Sequence, residues 1–330
     1  MAGRNGQAPR ARLCSVSVDL DPIACYYRIH ALGPLPAAER LADVVLRRSV
    51  PRYLDLFARH GLRATFFVVG SDLAGGGGAA QAARALVKEL AAAGHEIGNH
   101  SFSHPYDLAR LPAAQVSEEI RRADGEIARA AGAPLVGFRA PGYDVSPVML
   151  DEIARLGYLY DSSIFPAPGY YAAKVAVMAA LRLVGRPSGA VLTNPLALIA
   201  PADPYRPSAS APWRRGQSPV VELPVAVTPG LRVPAIGTNL LLAPAPLRAS
   251  WMEAMRARPF FNLELHGIDL IDADDDGIPS ELVARQPDLR ATLQTKQRAL
   301  SATLDRLAAE YRFVTLREVA QVVQRQGYLA

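Results

Sequence analysis

Short runs of apolar residues alternate along this chain with longer segments in which apolar residues recur every three or four positions. The short runs predict β-strands and the longer segments predict amphipathic helices. The predicted strands cover residues 13–18, 64–69, 96–98, 135–138, 158–160, 220–223, 260–265 and 312–314. The predicted helices cover residues 37–60 with a break near Pro51, 79–93, 113–131, 146–156, 288–310 and 316–324. Strands separated by helices imply parallel β–α units.

Polar residues that can carry chemistry follow the ends of several predicted strands. Each of five lies at or just beyond the C-terminal end of a different strand: Asp19, His100, Arg139, Asp161 and His266. α/β barrels collect their catalytic groups at this end of their strands. The pattern therefore predicts an α/β fold closed into a barrel, with the 330 residues forming a single domain.

One region, residues 166–218, interrupts the alternation and is interpreted as an insertion in the barrel. It is rich in Pro, Ala, Tyr and Leu, and residues 170–184 predict an apolar helix that carries only Lys174 and Arg182. This helix could pack against the barrel, or it could form a lid or a surface that faces a membrane. A second apolar stretch, residues 236–246, has the same alternatives.

Composition narrows the class of protein. Half of the residues are hydrophobic and 20% are charged, which is typical of a chain with a sizeable core and not of a disordered one. The formal charge of +5 comes almost wholly from arginine, through either a compositional bias or a preference for anionic partners. Without a long basic run or interleaved aromatic and basic residues, nucleic-acid binding is not expected. Cys14 and Cys25 are expected to be buried free thiols.

The location of the protein is predicted from what the sequence does not contain. The segment Met1 to Arg12 is polar, with no apolar core behind it, so it does not resemble a signal peptide. No stretch reaches the roughly 18 uninterrupted apolar residues typical of a transmembrane helix. The expectation is a cytoplasmic protein, with peripheral contact at the inner face of the membrane as one alternative.

Two short motifs suggest a metal site. His100 and His104 are four residues apart, a spacing that would place both on one face of a helix and let them hold one metal ion. A catalytic site needs another protein ligand, and Asp19 and Asp21 offer one at the end of the first strand. Taken alone, the aspartates could be helix caps and the histidines surface residues. Their joint occurrence at strand ends favours a site.

Five motifs together resemble the polysaccharide deacetylases, the NodB-homology group also called carbohydrate esterase family 4. The motifs are Ser17–Asp21, His100–His104, Phe138–Tyr143, Tyr160–Ser163 and Glu264–Gly267. The first departs from the commoner form of the family, in which the two aspartates are adjacent. A spaced pair also occurs in atypical members that act on lipid-linked sugars or cell-wall glycans. The fold that this resemblance implies is a distorted (β/α) barrel of the NodB-homology type.

The resemblance also implies a metal centre. Asp21, His100 and His104 would hold one divalent ion, and zinc is the expected ion. The residue types agree with amide hydrolysis, because such an ion can lower the pKa of a water molecule toward 7.

The remaining motif residues would move protons and support the site. Asp19 would act as the general base, and His266 would protonate the leaving amine. Arg139 would pair with Asp19 and keep it ionised. Asp161 would support the site, although it could equally be a helix cap. A backbone N–H near Tyr143 would help to hold the oxyanion.

The function expected from these residues is a metal-dependent amide hydrolase. It would remove an acetyl or formyl group from an N-acylated amino sugar, and a lipid-linked glycan intermediate is one form that this substrate could take. One alternative is hydrolysis of a small cyclic amide, as in allantoinase-like relatives of this fold. Another is a sugar-binding barrel that has lost its chemistry, against which the intact set of motif residues argues.

An acidic run in the C-terminal third resembles part of a calcium-binding site. Asp272–Gly277 copies the first half of a calcium-binding loop of the EF-hand type, but its twelfth position is Val283 instead of Glu. It is interpreted as an acidic loop at the rim of the site that recognises amino groups.

Overall fold

The computed structural model describes residues 12–35 and 39–326 and contains a main sheet of eight strands in which every strand pairing is parallel. These strands are β1 (Leu13–Asp19), β2 (Thr65–Val68), β3 (Glu96–Asn99), β4 (Gly137–Phe138), β5 (Tyr160–Asp161), β8 (Val221–Glu222), β9 (Phe260–His266) and β10 (Arg312–Phe313). A separate antiparallel hairpin consists of β6 (Pro207–Ser208) and β7 (Ala211–Arg215). The predicted α/β class is confirmed.

The sheet runs in the order β9–β1–β2–β3–β4–β5–β8. Strand β9 pairs with β1 along its whole length and so occupies one edge of β1. Strands β10 and β2 pair with the first and last residues of its other edge. The sheet curls into the predicted distorted barrel, but no ladder joins its end strands, β8 and β9. Instead the Ala226 N–H donates to the Asn262 carbonyl at 3.1 Å, and the Asn262 side chain donates to the Leu223 and Pro224 carbonyls.

Helices connect most of the strands along the chain. Their bounds are α1 (Ile23–Ile29), α2 (Glu39–Ala42), α3 (Val50–Arg59), α4 (Gly78–Ala92), α5 (Ala113–Ala131), α6 (Pro147–Arg155), α7 (Pro168–Leu183), α8 (Gly237–Leu242), α9 (Ala245–Met255), α10 (Ser280–Val283), α11 (Leu293–Glu310) and α12 (Leu316–Gln326). In β1 all seven residues are buried, as expected for a parallel strand covered on both sides. Cys14 and Cys25 are buried and free, as predicted.

Two predicted helices differ from those observed. The helix predicted over residues 37–60, with a break near Pro51, is divided earlier than expected, into α2, a π-helical turn over Val45–Ser49, and α3; residues 37 and 38 lie outside the described ranges. Pro51 stands in the first turn of α3, where its missing N–H costs no helical hydrogen bond. The helix predicted from residue 288 begins only at Leu293, after the Thr292 hydroxyl accepts the Thr295 N–H at 3.3 Å.

The inserted segment consists of α7, a short 3₁₀ helix over Pro195–Ile199, and the β6–β7 hairpin. Helix α7 buries only two of its side chains, Tyr171 and Leu181, whereas Leu183 is 88% exposed. The stretch 236–246 behaves differently, because Leu240 and Leu241 of α8 are buried in the core. Plain packing therefore accounts for α8 but not for the outer side of α7. Among the described residues, no helix is both long and apolar enough to span a bilayer.

Candidate metal centre and catalytic site

Asp21, His100 and His104 meet beyond the ends of β1 and β3. The Nε2 atoms of both histidines lie 3.1 Å from Asp21 Oδ1, and all three side chains are buried. One ligand atom from each residue lies within 4.8 Å of the others. The His104 Nε2 contact with Asp21 lacks hydrogen-bond geometry, which leaves this nitrogen buried without a partner in the described part of the chain. A carboxylate and two imidazoles converging on one point fit a divalent cation.

Contacts behind the two rings fix their orientation. His100 Nδ1 lies 2.7 Å from the Arg139 carbonyl, to which it must donate, so in the neutral imidazole the lone pair is on Nε2, the nitrogen that faces Asp21. His104 Nδ1 lies 3.3 Å from the Cys25 Sγ, which also accepts a hydrogen bond from Arg28. Such outer contacts are what hold metal-binding imidazoles in place.

The prediction that His100 and His104 lie on one face of a helix is wrong. Residues 100–105 form a loop and not a helix, and Ser101 and His104 have positive φ angles of 65° and 54°. The Asn99 side chain accepts the Ser101 N–H at 2.8 Å, and the Ser101 hydroxyl accepts the His104 N–H at 3.2 Å. Ser101 and His104 thus adopt left-handed backbone angles that are rare for residues other than glycine. The two hydrogen-bonded turns bring the imidazole rings of His100 and His104 to a centroid separation of 4.9 Å.

Asp19 forms the expected pair with Arg139. Arg139 Nη1 donates to Asp19 Oδ1 at 2.7 Å, and both side chains are almost completely buried. The other guanidinium nitrogens donate to the carbonyl and the hydroxyl of Ser162 at 2.9 and 2.8 Å, and the guanidinium lies over the Phe67 ring. Three strands therefore hold this one charge in a fixed position.

His266 lies opposite Asp19 in the register of β1 and β9 and forms a second cluster with Asp19 and Glu264, which the Tyr143 hydroxyl also contacts. Its Nδ1 is 3.0 Å from Glu264 Oε1, to which the Tyr143 hydroxyl also donates at 2.6 Å. Burial lowers the pKa of His266, but the carboxylates of Glu264, Asp21 and Asp19 together raise that pKa to about 10. The imidazole therefore holds its proton at neutral pH.

The Tyr143 hydroxyl and the Glu264 carboxylate are functional candidates that the sequence analysis missed. Strand periodicity could have identified Glu264, because it lies two residues before His266 and so faces the same side of β9. Tyr143 has a φ of 60°, and its own N–H bonds to the Ala140 carbonyl at 3.3 Å. That amide is thus not free for the oxyanion role expected near Tyr143.

Asp161 lies apart from these clusters. It is buried at the end of β5, where its carboxylate accepts the Ser163 hydroxyl at 2.5 Å, and burial raises its pKa to about 6. It does not line the cavity described below. It adjoins Ser162, which contacts Arg139, so its supporting role stays a prediction.

Both clusters open into one cavity of about 500 Å³. Asp19, Asp21, His100 and His266 line its floor, and α7, α8 and the 3₁₀ helix over Pro287–Arg290 contribute its walls. A cavity of about 540 Å³ opens at the opposite end of β3 and contains none of the predicted site residues.

The acidic loop Asp272–Gly277 does not form the rim of this cavity. Asp276 is held by Arg48 and Arg52 at 2.6 and 2.5 Å, and Asp272 accepts backbone N–H groups of its own turn. The interpretation of this loop as an amine-recognising rim is therefore wrong, because its buried charge is already paired.

Comparison with known proteins supports the resemblance found in the motifs. Residues 42–160 match the family model described as polysaccharide deacetylase. Over 109 residues the chain is 34% identical to a peptidoglycan-N-acetylmuramic acid deacetylase of Bacillus subtilis, a stretch covering 33% of this chain and 38% of that protein. Over 138 residues it is 31% identical to a chitooligosaccharide deacetylase of a Bradyrhizobium species, covering 40% of this chain and 59% of that protein. The chain thus aligns with only part of the length of these relatives.

The fold has solved counterparts. A Mycobacterium smegmatis protein assigned to the polysaccharide deacetylases superposes with a TM-score of 0.59 at 18% identity, covering 98% of this chain and 94% of that one. The motifs and the match over residues 42–160 both resemble the polysaccharide deacetylases of the NodB-homology group, and the solved counterpart shares the fold. The family match does not extend to Asp19, Asp21 or His266, whose roles rest on the geometry described above.

The geometry predicts that His104→Ala loses tight binding of a divalent ion, since it removes one of three converging ligands. The expected loss in Zn²⁺ affinity exceeds the roughly 10–100-fold that removal of an outer-sphere partner causes. Titration calorimetry and elemental analysis after dialysis against zinc measure it. His60→Ala, at a histidine that contacts Ser301 away from the site, is the matched control and should bind like the wild type. Equal zinc affinity in His104→Ala and the wild type would contradict the ligand assignment.

Proposed function

We propose that this protein is a metal-dependent hydrolase that removes an acetyl or formyl group from the nitrogen of an amino sugar. The observation that carries the proposal is the meeting of two buried clusters, Asp21–His100–His104 and Asp19–Glu264–His266, at the floor of one cavity. The first is suited to a cation and the second to proton transfer. Relatives named as deacetylases of peptidoglycan sugars and chitooligosaccharides support a sugar amide as the substrate.

Asp21, His100 and His104 would hold the ion, and this mixed nitrogen and oxygen ligand set favours zinc. When bound, the ion would supply Lewis-acid chemistry, polarising the amide and making water nucleophilic near neutral pH.

In this proposal Asp19 accepts the proton of the attacking water. Arg139 neutralises part of its charge and, with the Ser162 contacts, prevents its rotation, so the base is already oriented before substrate binds. Fixing the carboxylate in advance removes a reorganisation cost from the reaction.

In this proposal His266 protonates the nitrogen that leaves. A pKa raised to about 10 keeps its imidazole protonated at neutral pH, which is the form an acid catalyst needs. Glu264 and Tyr143 contact the ring from two sides and hold it toward the cavity.

A mass-spectrometric screen tests the proposed reaction. Free and lipid-linked N-acetyl and N-formyl amino sugars, together with small cyclic amides, would be incubated with the zinc-loaded protein and with chelator-treated protein. Loss of the acyl mass from an amino sugar, dependent on the metal, is the expected result. Opening of a cyclic amide alone would favour an allantoinase-like activity. Binding of sugars without any turnover would favour an inactive sugar-binding barrel.

His266→Ala is expected to lower kcat by roughly 10²–10⁴, the range for loss of one proton-transfer group. Zinc content should stay near that of the wild type, because His266 is not one of the three converging ligands. Steady-state kinetics on the substrate found in the screen, with His60→Ala as the control, measure the effect. A His266→Ala protein with wild-type kcat would remove this residue from the mechanism.

We further propose that the substrate is lipid-linked and is met at the inner face of the membrane. Helix α7 lines the cavity through Tyr170, Val177 and Leu181, while most of its remaining surface consists of exposed Ala, Val and Leu side chains. Its exposed Arg182 could contact anionic headgroups. A helix that is apolar outside and forms the cavity wall inside would bring acyl chains beside the reacting sugar.

Vesicle co-sedimentation tests this contact. The wild type is expected to bind anionic vesicles, more weakly as salt is raised, and Leu183→Asp should reduce binding because a charge enters the apolar surface of α7. Leu231→Asp is the matched control, since Leu231 is 87% exposed and lies outside α7. Indifference of the wild type to vesicles, or equal loss in both variants, would leave a small-sugar deacylase with no membrane contact.

A further inference from the structure

A group of polar side chains with no role in the mechanism lines the cavity beside the proposed metal centre. Asp288 is 1% exposed and belongs to the 3₁₀ helix over Pro287–Arg290. Its Oδ2 accepts a hydrogen bond from the Gln286 amide, whose Oε1 in turn accepts one from His30 Nε2 at 2.8 Å. This chain of contacts fixes the Asp288 carboxylate in one orientation.

The other oxygen of this carboxylate, Oδ1, is buried and has no hydrogen-bond partner among residues 12–35 and 39–326. Lys296, the nearby buried cation, donates to the backbone carbonyls of Asp288 and Ile271 and not to the carboxylate. A buried acceptor without a partner costs about 1–3 kcal/mol, so its persistence calls for a reason.

Tyr26 supplies a second, independent polar atom among the residues that line this cavity. Its ring packs in the core and it lines the cavity, yet its hydroxyl is buried and unpartnered within the described ranges. A carboxylate oxygen can only accept hydrogen bonds, whereas a tyrosine hydroxyl can both donate and accept. Together they are complementary to a ligand that carries hydroxyl groups.

A neutral ligand group suits this wall better than a cationic one. Arg285 lines the same cavity, and Lys296 lies directly behind Asp288. These two positive charges would oppose the entry of an ammonium group, whereas a sugar hydroxyl brings hydrogen-bond donors without charge.

We propose that Asp288 and Tyr26 form a specificity subsite that binds ring hydroxyl groups of the sugar whose N-acyl group is hydrolysed. The inference rests on the proposed function, because the subsite belongs to the same cavity. Gln286 and His30 act as positioning residues, since they reach the ligand only through Asp288. A site built to pair with a hydroxyl discriminates strongly against an analogue that lacks it, because its buried polar groups then stay unpaired.

Asp288→Asn is the main test. The Gln286 amide would still require an acceptor, so the asparagine oxygen would face Gln286 and its NH₂ would face the cavity in place of an acceptor. The expected result is a KM raised about 10–100-fold, the range for loss of a hydrogen bond to a charged group, with a smaller change in kcat and unchanged zinc content. Asp276→Asn, at a buried acid paired with Arg48 and Arg52, is the matched control and should keep the wild-type KM.

The assignment to a hydroxyl is tested with chitooligosaccharide analogues in which one ring hydroxyl at a time is replaced by hydrogen. One analogue should show a raised KM with the wild type and no further increase with Asp288→Asn, because both changes remove the same contact. Tyr26→Phe removes only an unpartnered hydroxyl and so should fold normally. It is expected to raise KM about 2–10-fold. Wild-type KM values in Asp288→Asn and Tyr26→Phe would overturn the subsite.

Failure of the proposed function would be recognised separately. If the wild type hydrolyses no N-acyl sugar, calorimetric titration of the same chitooligosaccharides into wild type and Asp288→Asn still tests the subsite. Weaker binding by Asp288→Asn supports it, and equal affinities, or no binding to either protein, overturn it.

Discussion

The buried ion pair between Arg139 and Asp19 is the interaction on which the site depends. It joins the end of β1 to β4, and through Ser162 it reaches the residue that follows β5, so three strands of the barrel meet at one guanidinium. Removing one member of such a pair leaves an uncompensated buried charge, at a cost of about 3–5 kcal/mol. This constraint sets where Asp19 points and leaves Asp21, two residues further, to face the histidines.

The two aspartates have different surroundings although the sequence separates them by one residue. Asp19 contacts a permanent cation, whereas Asp21 lies between two imidazole nitrogens that converge on it. The backbone near the two aspartates is strained, because Ser101, His104 and Tyr143 all have positive φ angles. Strain of this kind persists only where surrounding contacts enforce it, and here it lies in the two loops that carry His100, His104 and Tyr143.

The sequence predicted the strands and the motif positions well, because a buried parallel strand is apolar and its end is marked by polar residues. It did not predict how the motif residues meet. His100 and His104 converge through a left-handed loop, which spacing alone cannot distinguish from a helix. Asp288 was assigned to a helix that begins only at Leu293, and the run Asp272–Gly277 was assigned to the rim of the site although its buried Asp276 is paired with Arg48 and Arg52. Contacts between residues far apart in the chain determine these three features, and such contacts cannot be identified from a single sequence.

The assignment of Asp21 to the proposed metal centre and of Asp19 to proton transfer can be tested with one substitution. Asp19→Asn tests it most directly, with zinc content per chain and turnover measured on the same preparation. An amide keeps the shape of the carboxylate but cannot accept the proton. We expect a folded but less stable protein, because Arg139 loses its charged partner, with the zinc content of the wild type and no measurable turnover. Loss of zinc with a normal fold, or turnover near the wild-type rate, would contradict it.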